Sequence, residues 1–396
     1  MVRLRSLFAI ALIAAVAAAS EDSTFTSSNA ELSSASTLPS MSTARNRHTA
    51  TRLVAGQVLI AGGSPTFITA ELYEPAQQAF KPIADMRYGR QAHTATLLPS
   101  SGLVLIAGGV DQSGMSLSAA ELFIPASATF TLIHSMTTAR SSHTATLLNT
   151  GQVLIAGGLN TANGVVTAIS SAELFNPATR TFTRTGSMSR SRAGHVAVLL
   201  TNGRVLLIGG DLTNTVPGTA ELFDPNTGRF SPAGTMHASR TNFTATLITG
   251  GKVLVTGGQN GSYPLSSAEI WEAGRFLAIQ PMTYARAQHT ATALPDGTVL
   301  IAGGTRQLAH QSCPPLTFLL LNNSVERFNP ATGQFTLVTA EYLPVPLAGH
   351  TGTRLMTGDV LLTGGATLMN ELCGMVGLRR IFKEVPTLTA TAELIR

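Results

Sequence analysis

SMTTARSSHTATLLNTGQVLIAGG, residues 135–158, is the stretch that decides the fold, because the chain contains near copies of it. Residues 281–304 read PMTYARAQHTATALPDGTVLIAGG, in register at Met, Arg, His and the final Gly-Gly. Each copy is followed by a variable loop, an A-E-L-F segment, a turn that usually contains Pro, and an aromatic residue. The chain therefore consists of repeats of one unit.

The Gly-Gly pairs give the number of units. Successive pairs are separated by 46, 49, 52, 48, 46 and 61 residues, which defines seven units. A period near 50 residues indicates a solenoid or a propeller and argues against several unrelated domains. The pairs are Gly62-Gly63, Gly108-Gly109, Gly157-Gly158, Gly209-Gly210, Gly257-Gly258, Gly303-Gly304 and Gly364-Gly365.

Each unit contains the patterns of four β-strands. H-T-A-T-L-L alternates and is β-branched, which predicts strand a, and V-L-I-A is continuously apolar, which predicts strand b buried on both faces. A-E-L-F predicts strand c, and the later aromatic marks strand d. Asp224-Pro225 and Asp296-Gly297 provide the turn chemistry that hairpins require. The fold class predicted is all-β, a seven-bladed β-propeller of four-stranded blades.

These motifs carry a family resemblance. R-x-x-H, the strand-ending Gly-Gly and A-E-L-F resemble Kelch repeats, most closely the bacterial exported type, over residues 40–396. The resemblance implies Kelch-type blades. It does not imply an activity, because propellers of this type serve many functions.

The residues before the repeats have a different composition. Residues 1–19 combine two arginines, a short apolar run and small residues at Ala17 and Ala19, which predicts a secretory signal peptide, with an uncleaved anchor as the alternative. Residues 20–39 form a Ser/Thr-rich leader. Because the last unit ends in strand c, residues 35–38 are expected to supply its missing outer strand. We therefore expect a secreted or periplasmic protein.

Charge and composition restrict the function classes. Only 12% of the residues are charged and 44% are hydrophobic, so a packed core is expected. The formal net charge of +5 falls by two when Arg3 and Arg5 are removed, which is too weak for an electrostatic nucleic-acid reader. No nucleic-acid partner, no membrane insertion after signal removal and a monomer are expected.

Polar residues that recur in every unit are explained more simply by packing than by a ligand. Six units place a His at the start of strand a, with Phe243 in the remaining unit, so a structural role is favoured and a metal ring is the alternative. Six units have an Arg before strand a, with Leu347 in the seventh, and all seven have a Glu in strand c. Paired buried ions are therefore predicted, with an anion-binding channel mouth as the alternative. The residues are His48, His93, His143, His195, His289 and His350; Arg45, Arg90, Arg140, Arg192, Arg240 and Arg286; and Glu71, Glu121, Glu173, Glu221, Glu269, Glu326 and Glu393.

The b–c loops vary most in length, and function often resides on such loops over a rigid scaffold. The longest are residues 305–324 and 366–391, in units 6 and 7. Cys313 and Cys373 occupy corresponding places there and are candidates for one disulfide, with two free thiols as the alternative. The candidate ligand-binding residues are Arg286, Arg306, His310, Glu371, Arg379, Arg380 and Lys383.

The sequence contains no catalytic motif, so no catalytic residue, metal ligand or cofactor is expected. Kelch propellers resemble the catalytic domain of galactose oxidase, a copper enzyme whose site requires two tyrosines, one bonded to a cysteine, and two histidines. Neither Cys here has a recognisable companion motif, and no residue is carried over. The function predicted is a non-catalytic module that recognises a protein or carbohydrate partner through its b–c loops. The alternatives are a carbohydrate-directed enzyme of galactose oxidase type and a purely structural repeat.

Overall fold

The computed structural model describes residues 35–210, 218–261, 263–308, 318–338, 342–376 and 379–395. The predicted signal peptide lies outside these ranges. The described chain contains seven four-stranded antiparallel sheets and four two-stranded ones. The one helical element within it is a short 3-10 turn at Thr249–Gly251. The predicted seven-bladed, all-β propeller is confirmed, and its repeats are consistent with Kelch-type blades.

The strands of the first three blades follow one another along the chain. A first strand, β1 (Ala35–Thr37), precedes them and belongs to blade 7. Blade 1 contains β2 (Thr49–Arg52), β3 (Val58–Ala61), β4 (Ala70–Glu74) and β5 (Ala79–Pro82). Blade 2 contains β6 (Thr94–Leu98), β7 (Leu103–Ala107), β8 (Ala120–Ile124) and β9 (Thr129–Leu132). Blade 3 contains β10 (Thr144–Leu147), β11 (Val153–Ala156), β14 (Ala172–Asn176) and β15 (Thr181–Arg184), with the hairpin β12 (Leu159–Ala162) and β13 (Val165–Ala168) between its second and third strands.

The last four blades repeat the order. Blade 4 contains β16 (Val196–Leu199), β17 (Val205–Ile208), β18 (Thr219–Asp224) and β19 (Arg229–Thr235). Blade 5 contains β20 (Thr244–Leu247), β21 (Val253–Thr256), β24 (Ala268–Glu272) and β25 (Arg275–Ile279), with the hairpin β22 (Gln259–Asn260) and β23 (Tyr263–Pro264). Blade 6 contains β26 (Thr290–Ala293), β27 (Val299–Ala302), β30 (Val325–Asn329) and β31 (Gln334–Leu337), with the hairpin β28 (Thr305–Leu308) and β29 (Phe318–Leu321). Blade 7 contains β32 (Thr351–Arg354), β33 (Val360–Thr363), β36 (Ala392–Ile395) and β1, with the hairpin β34 (Ala366–Val376) and β35 (Arg379–Leu388).

The first strands of the blades form the inner ring. Each contacts the first strand of the next blade, and β32 contacts β2, so the ring is closed. The second strand of blade 3, β11 with the sequence V-L-I-A, is buried along its whole length, and the V-L-I-A run of β7 is likewise buried. A strand with neighbours on both sides and blades on both faces must be apolar throughout, which explains this run.

Apolar side chains fill the space between adjacent blades. Between blades 1 and 2, Leu59 and Ala61 pack in one cluster with Val104, Ile106 and Phe123. Corresponding clusters occupy the other interfaces, including the one between blades 7 and 1. Full burial of a Leu, Ile or Val side chain contributes about 1.5–3 kcal/mol, so these layers hold the blades together.

The N-terminal strand closes the last blade. β1 pairs antiparallel with β36 in the register Ala35↔Ile395 and Thr37↔Glu393. The backbone N–H of Leu38 donates to the Ala392 carbonyl at 3.0 Å. Residues 35–37 thus occupy the position of the outer strand that the sequence analysis assigns to this part of the leader.

One edge of the ring carries both the b–c connections and the d–a connections, and we call it the front face. Short β-bridges join the two kinds of connection in six blades, as Asn46↔Ser64 does in blade 1. The Gly-Gly pair lies at this junction. A Cβ on Gly108 would collide with the Arg140 carbonyl of the next blade, and Gly108 has φ +62°. No described helix is long and apolar enough to cross a membrane.

Candidate functional site

Buried ion pairs fix the front end of six blades. In blade 3, the Arg140 guanidinium lies 2.9 Å from Glu173 and is fully buried. Burial lowers the pKa of Arg140, and the adjacent Glu173 acts in the opposite direction. The other pairs are Arg45–Glu71 at 2.7 Å, Arg90–Glu121 at 2.8 Å, Arg192–Glu221 at 2.9 Å, Arg240–Glu269 at 2.9 Å and Arg286–Glu326 at 2.6 Å.

Each pair also binds backbone. Arg140 donates to the carbonyls of Gly157 at 2.8 Å and Ser171 at 3.0 Å, and Glu173 accepts from the backbone N–H of Thr137 at 2.7 Å. The pair therefore joins the d–a connection to the start of strand c. In blade 3 this network is structural, since all the donors of the Arg140 guanidinium are used within the blade.

Arg286 is consequently removed from the ligand-binding candidates. It is fully buried, and its guanidinium is occupied by Glu326, the Gly303 carbonyl and Ser324. The prediction of an arginine at the channel mouth fails at this position because the d–a connection folds the side chain inward between strands b and c.

The six histidines link neighbouring blades around the inner ring. His143 Nε2 shares a hydrogen bond with the Thr94 hydroxyl of the preceding blade at 2.9 Å, and His48 reaches Thr351 of blade 7 at 3.2 Å. Burial lowers the pKa of His48 and of His195 to about 3, and that of His350 to about 4. These rings are therefore neutral at pH 7. No group of three His, Cys, Asp or Glu side chains that could hold a metal ion exists among the described residues.

One interface lacks this link. Phe243 replaces the histidine of blade 5, and the residue that would offer its hydroxyl is Val196 in blade 4. Both side chains belong to the apolar cluster at this interface. At this interface the threonine–histidine pair of the other blades is thus replaced by a valine–phenylalanine pair. The sequence analysis noted Phe243 but missed Val196, although both lie at fixed positions of the repeat.

Blade 7 contains the exception among the carboxylates. Leu347 stands at the arginine position, and Glu393 is fully buried without a basic partner among the described residues. One carboxylate oxygen accepts from the Val345 N–H at 3.0 Å, and the other has no hydrogen-bond partner within the described ranges. Burial raises the pKa of Glu393 to about 7. The sequence analysis recorded both positions without combining them.

Hairpins extend the front face of blades 3, 5, 6 and 7. The two long loops predicted as recognition elements are largely β-structure, since β28 pairs with β29 and β34 pairs with β35. The hairpins of blades 5 and 6 contact each other through β23 and β28. The longest of the described hairpins is β34–β35 of blade 7.

Arg306 is the candidate residue whose surroundings are most informative. It lies in β28, and its guanidinium carbon is 5.7 Å from the centre of the Tyr284 ring. This distance is within the range of a cation–π contact. Arg306 Nε is buried and has no hydrogen-bond partner among the residues that the structure describes. Because arginine can only donate, this N–H is available for an oxygen acceptor that the described part of the chain does not provide.

The remaining candidates are placed only in part. Glu371 and Lys383 are paired in the β34–β35 register, and Arg380 and Arg379 pair with Met375 and Val376. Their backbone places all four on the blade 7 hairpin. His310 and Cys313 lie outside the described residues, whereas Cys373 lies in β34 at a register shift. The disulfide therefore stays a prediction.

Comparison with known proteins identifies a structural relative. The fold is similar to that of a fungal alcohol oxidase of the AA5 family, solved in complex with copper, with a TM-score of 0.68 and 18% identity. The match covers 91% of this chain and 75% of that chain. No protein-family model and no curated protein matches the sequence. At this identity the likeness shows the shared propeller fold.

This comparison corrects the predicted function. The sequence analysis favours a non-catalytic binding or interaction module, whereas the solved neighbour is an alcohol oxidase. The finding favours the alternative, an enzyme of galactose oxidase type. The prediction was wrong because it took the absence of a known motif as an argument against catalysis.

Proposed function

We propose that this propeller is a carbohydrate-directed enzyme of galactose oxidase type that acts on alcohol groups at its front face. The observation that carries the proposal is the fold shared with a copper alcohol oxidase over 91% of this chain. Scaffolds of this kind support different chemistries by variation of their loops, so the substrate must be argued from the front-face residues.

The contact between Arg306 and Tyr284 supports a polar, hydroxyl-rich substrate. The phenol ring offers an apolar face with a polar edge, and the unpaired Nε–H of Arg306 seeks an acceptor oxygen. A sugar presents both an apolar C–H face and oxygen acceptors. We assign Arg306 and Tyr284 to substrate binding, where Tyr284 would pack against the ring and Arg306 would donate to a hydroxyl oxygen.

The described residues do not by themselves complete a copper centre of the galactose oxidase kind, and Cys313 and the side chain of Cys373 lie outside the described part of the chain. Tyr73 is fully buried against Phe80, and the histidines of the inner ring are buried with Nε2 engaged by threonines. No three His, Cys, Asp or Glu side chains come together in the part of the chain that the structure describes. We therefore assign no ligand and derive no step through copper, and the metal content is a quantity to be measured.

Export remains part of the proposal. The predicted signal peptide, residues 1–19, would deliver the propeller outside the cytoplasm, where polymeric carbohydrate occurs. N-terminal sequencing of the protein recovered from the medium or periplasm should begin near Ser20. A product that begins at Met1 and stays in the cytoplasm would contradict export.

The activity is tested with the full chain expressed with its own leader. The purified protein is supplied with Cu²⁺, its metal content is determined, and oxygen uptake and peroxide release are recorded with galactose, glycerol and oligosaccharides. Turnover on at least one primary alcohol is expected. Failure of the folded, copper-treated protein to oxidise any of these alcohols would contradict the proposal.

Two variants connect the activity to the front face. Tyr284→Ala removes the ring below Arg306, and Arg306→Gln removes the donor, so each should raise KM about tenfold or more, as expected for loss of roughly 1.4 kcal/mol of binding. Tyr88→Ala is the matched control, because Tyr88 occupies the same repeat position in blade 2. Equal effects of the Tyr88 and Tyr284 variants would argue against a site at blade 6.

A further inference from the structure

The six arginines occupy equivalent surroundings built from oxygen acceptors. In blade 6, Arg286 donates to the Gly303 carbonyl at 2.9 Å, to the Ser324 carbonyl at 3.1 Å and to the Ser324 hydroxyl at 3.0 Å. Glu326 completes the set at 2.6 Å. A single positive charge thus satisfies two carbonyls, a hydroxyl and a carboxylate.

Blade 7 keeps these acceptors without the guanidinium. The equivalent residues are Gly364, Thr391 and Glu393, while Leu347 stands in the place of the arginine. The backbone frame is preserved, because Gly364 N–H donates to the Thr391 carbonyl at 3.0 Å as Gly303 N–H does to Ser324 at 3.3 Å. The Thr391 hydroxyl is hydrogen-bonded to that of Thr389. One oxygen of Glu393 is buried and has no hydrogen-bond partner in the described part of the chain.

The surroundings make a lone carboxylate costly. Leu347 is fully buried in an apolar cluster with Leu343, Val360 and Leu362. Buried charges in proteins are paired or coordinate a metal ion. A leucine side chain is shorter than an arginine and carries no donor, so it leaves the end of the guanidinium site without a positive charge.

We propose that blade 7 binds a small monovalent cation, of which Na⁺ is the probe, between the Glu393 carboxylate, the Gly364 and Thr391 carbonyls and the Thr391 hydroxyl. Hard oxygen donors of this kind suit alkali and alkaline-earth ions. The set carries one negative charge, as it does in the six blades where one guanidinium balances it. A monovalent ion restores that balance, whereas a divalent ion would leave an excess charge in an apolar cluster.

The proposed cation lies in the blade that closes the ring. Glu393 belongs to β36, which is paired with β33 on one side and with β1 on the other. Neutralising Glu393 therefore stabilises the sheet in which both ends of the described chain meet. This inference concerns stability and does not depend on the proposed enzyme activity.

The test compares the melting temperature in choline chloride with that in NaCl or KCl at equal ionic strength and pH 8. Because a ligand that binds only the folded state stabilises it by mass action, the wild type should melt about 2 °C higher in the alkali salt, with saturation. Line broadening of the ²³Na resonance by the wild-type protein gives an independent measurement that requires no variant.

Three variants locate the effect. Leu347→Arg restores the guanidinium and Glu393→Gln removes the charge, so both should abolish the salt-specific shift and the ²³Na broadening. Leu347→Met, which changes shape without adding a charge, should keep them. A shift that persists in Leu347→Arg or Glu393→Gln, or a wild type that neither shifts nor broadens the ²³Na signal, overturns the proposal. If Leu347→Arg does not fold, the comparison of the wild type with Glu393→Gln decides.

Discussion

The glycines that end strand b are required by the space between blades as well as by their backbone angles. Gly108 has φ +62°, and an added Cβ would meet the Arg140 carbonyl and the His143 ring of the next blade. Gly102 also has a positive φ, of +72°, but open space surrounds its Cβ direction. Substitution of Gly102 therefore tests the cost of the backbone angle alone, whereas substitution of Gly108 adds the cost of a steric collision.

Gly108→Ala should therefore destabilise the fold much more than Gly102→Ala. We expect a loss of about 1 kcal/mol for Gly102→Ala, from the left-handed backbone alone, and more than about 3 kcal/mol for Gly108→Ala. Chemical denaturation of both variants measures this difference. Equal losses would mean that the blades can separate to admit the methyl group.

The histidine ring predicts acid sensitivity. An unfolded imidazole takes up a proton below pH 6.5, whereas the pKa of folded His48 and of folded His195 is about 3 because of burial. Between these values the unfolded state binds more protons, so stability falls as the pH falls. Each such histidine contributes on the order of 1.4 kcal/mol per pH unit in that window.

We expect the melting temperature to be highest above pH 6.5 and to fall steeply from pH 6 to pH 4. The double variant Thr94→Val with His143→Phe, which copies the Val196 and Phe243 pair, should fall less steeply. Thr94→Val alone, which leaves His143 to titrate, is the control. A melting temperature independent of pH between 4 and 7 would contradict the burial of neutral imidazoles.

At the scale of the element, the strands are predictable because each blade supplies another copy of the same pattern. V-L-I-A predicts strand b, and the structure places it at Val153–Ala156 in blade 3. The b–c hairpins are not predictable in this way. They differ between blades in length and sequence, so a comparison of the repeats does not predict which of their residues pair. Residues 366–391 are for this reason predicted as a loop, although most of them form the hairpin β34–β35. The unpaired state of Glu393 is hard to predict for another reason. The other glutamates at this repeat position are paired with an arginine, and Glu393 lacks this partner because Leu347 stands at the arginine position.

The strand β1 is the element whose removal should cost most. It covers the edge of β36, and Leu38 and Met41 contribute to the apolar cluster between blades 7 and 1. Deletion of residues 24–39 should lower the melting temperature by about 5 °C or more, because an edge strand and part of a core are lost. Deletion of residues 24–33 keeps β1 and is the control, and equal melting of the two variants would refute closure by this strand.

At the scale of the whole molecule, every blade packs against two others. The inner strands contact one another in a closed ring, so the propeller has no terminal repeat of the kind that open solenoids possess. Apolar clusters lie at all the interfaces. Opening one blade therefore exposes apolar surface on both of its neighbours, and this couples the blades.

The closed ring should unfold as one cooperative unit. We expect a single calorimetric transition whose van't Hoff and calorimetric enthalpies agree. The variant without residues 24–39 should show a broader transition, in which the van't Hoff enthalpy is smaller than the calorimetric enthalpy. Two resolved transitions in the full-length protein would show that the blades form separate cooperative groups.

The interface of Val196 and Phe243 determines the order in which the blade interfaces open in acid. Six seams are linked in the inner ring by imidazoles that acquire charge in acid. The seam between blades 4 and 5 has the apolar pair Val196 and Phe243 at that position and a hydrogen bond from Trp271 Nε1–H to the Ala233 carbonyl at 2.8 Å, neither of which titrates. Acid should therefore open the circle elsewhere first. Blades 4 and 5 then remain together as the last folded fragment, and amide exchange at pH 4 should be slowest in β17 and β21.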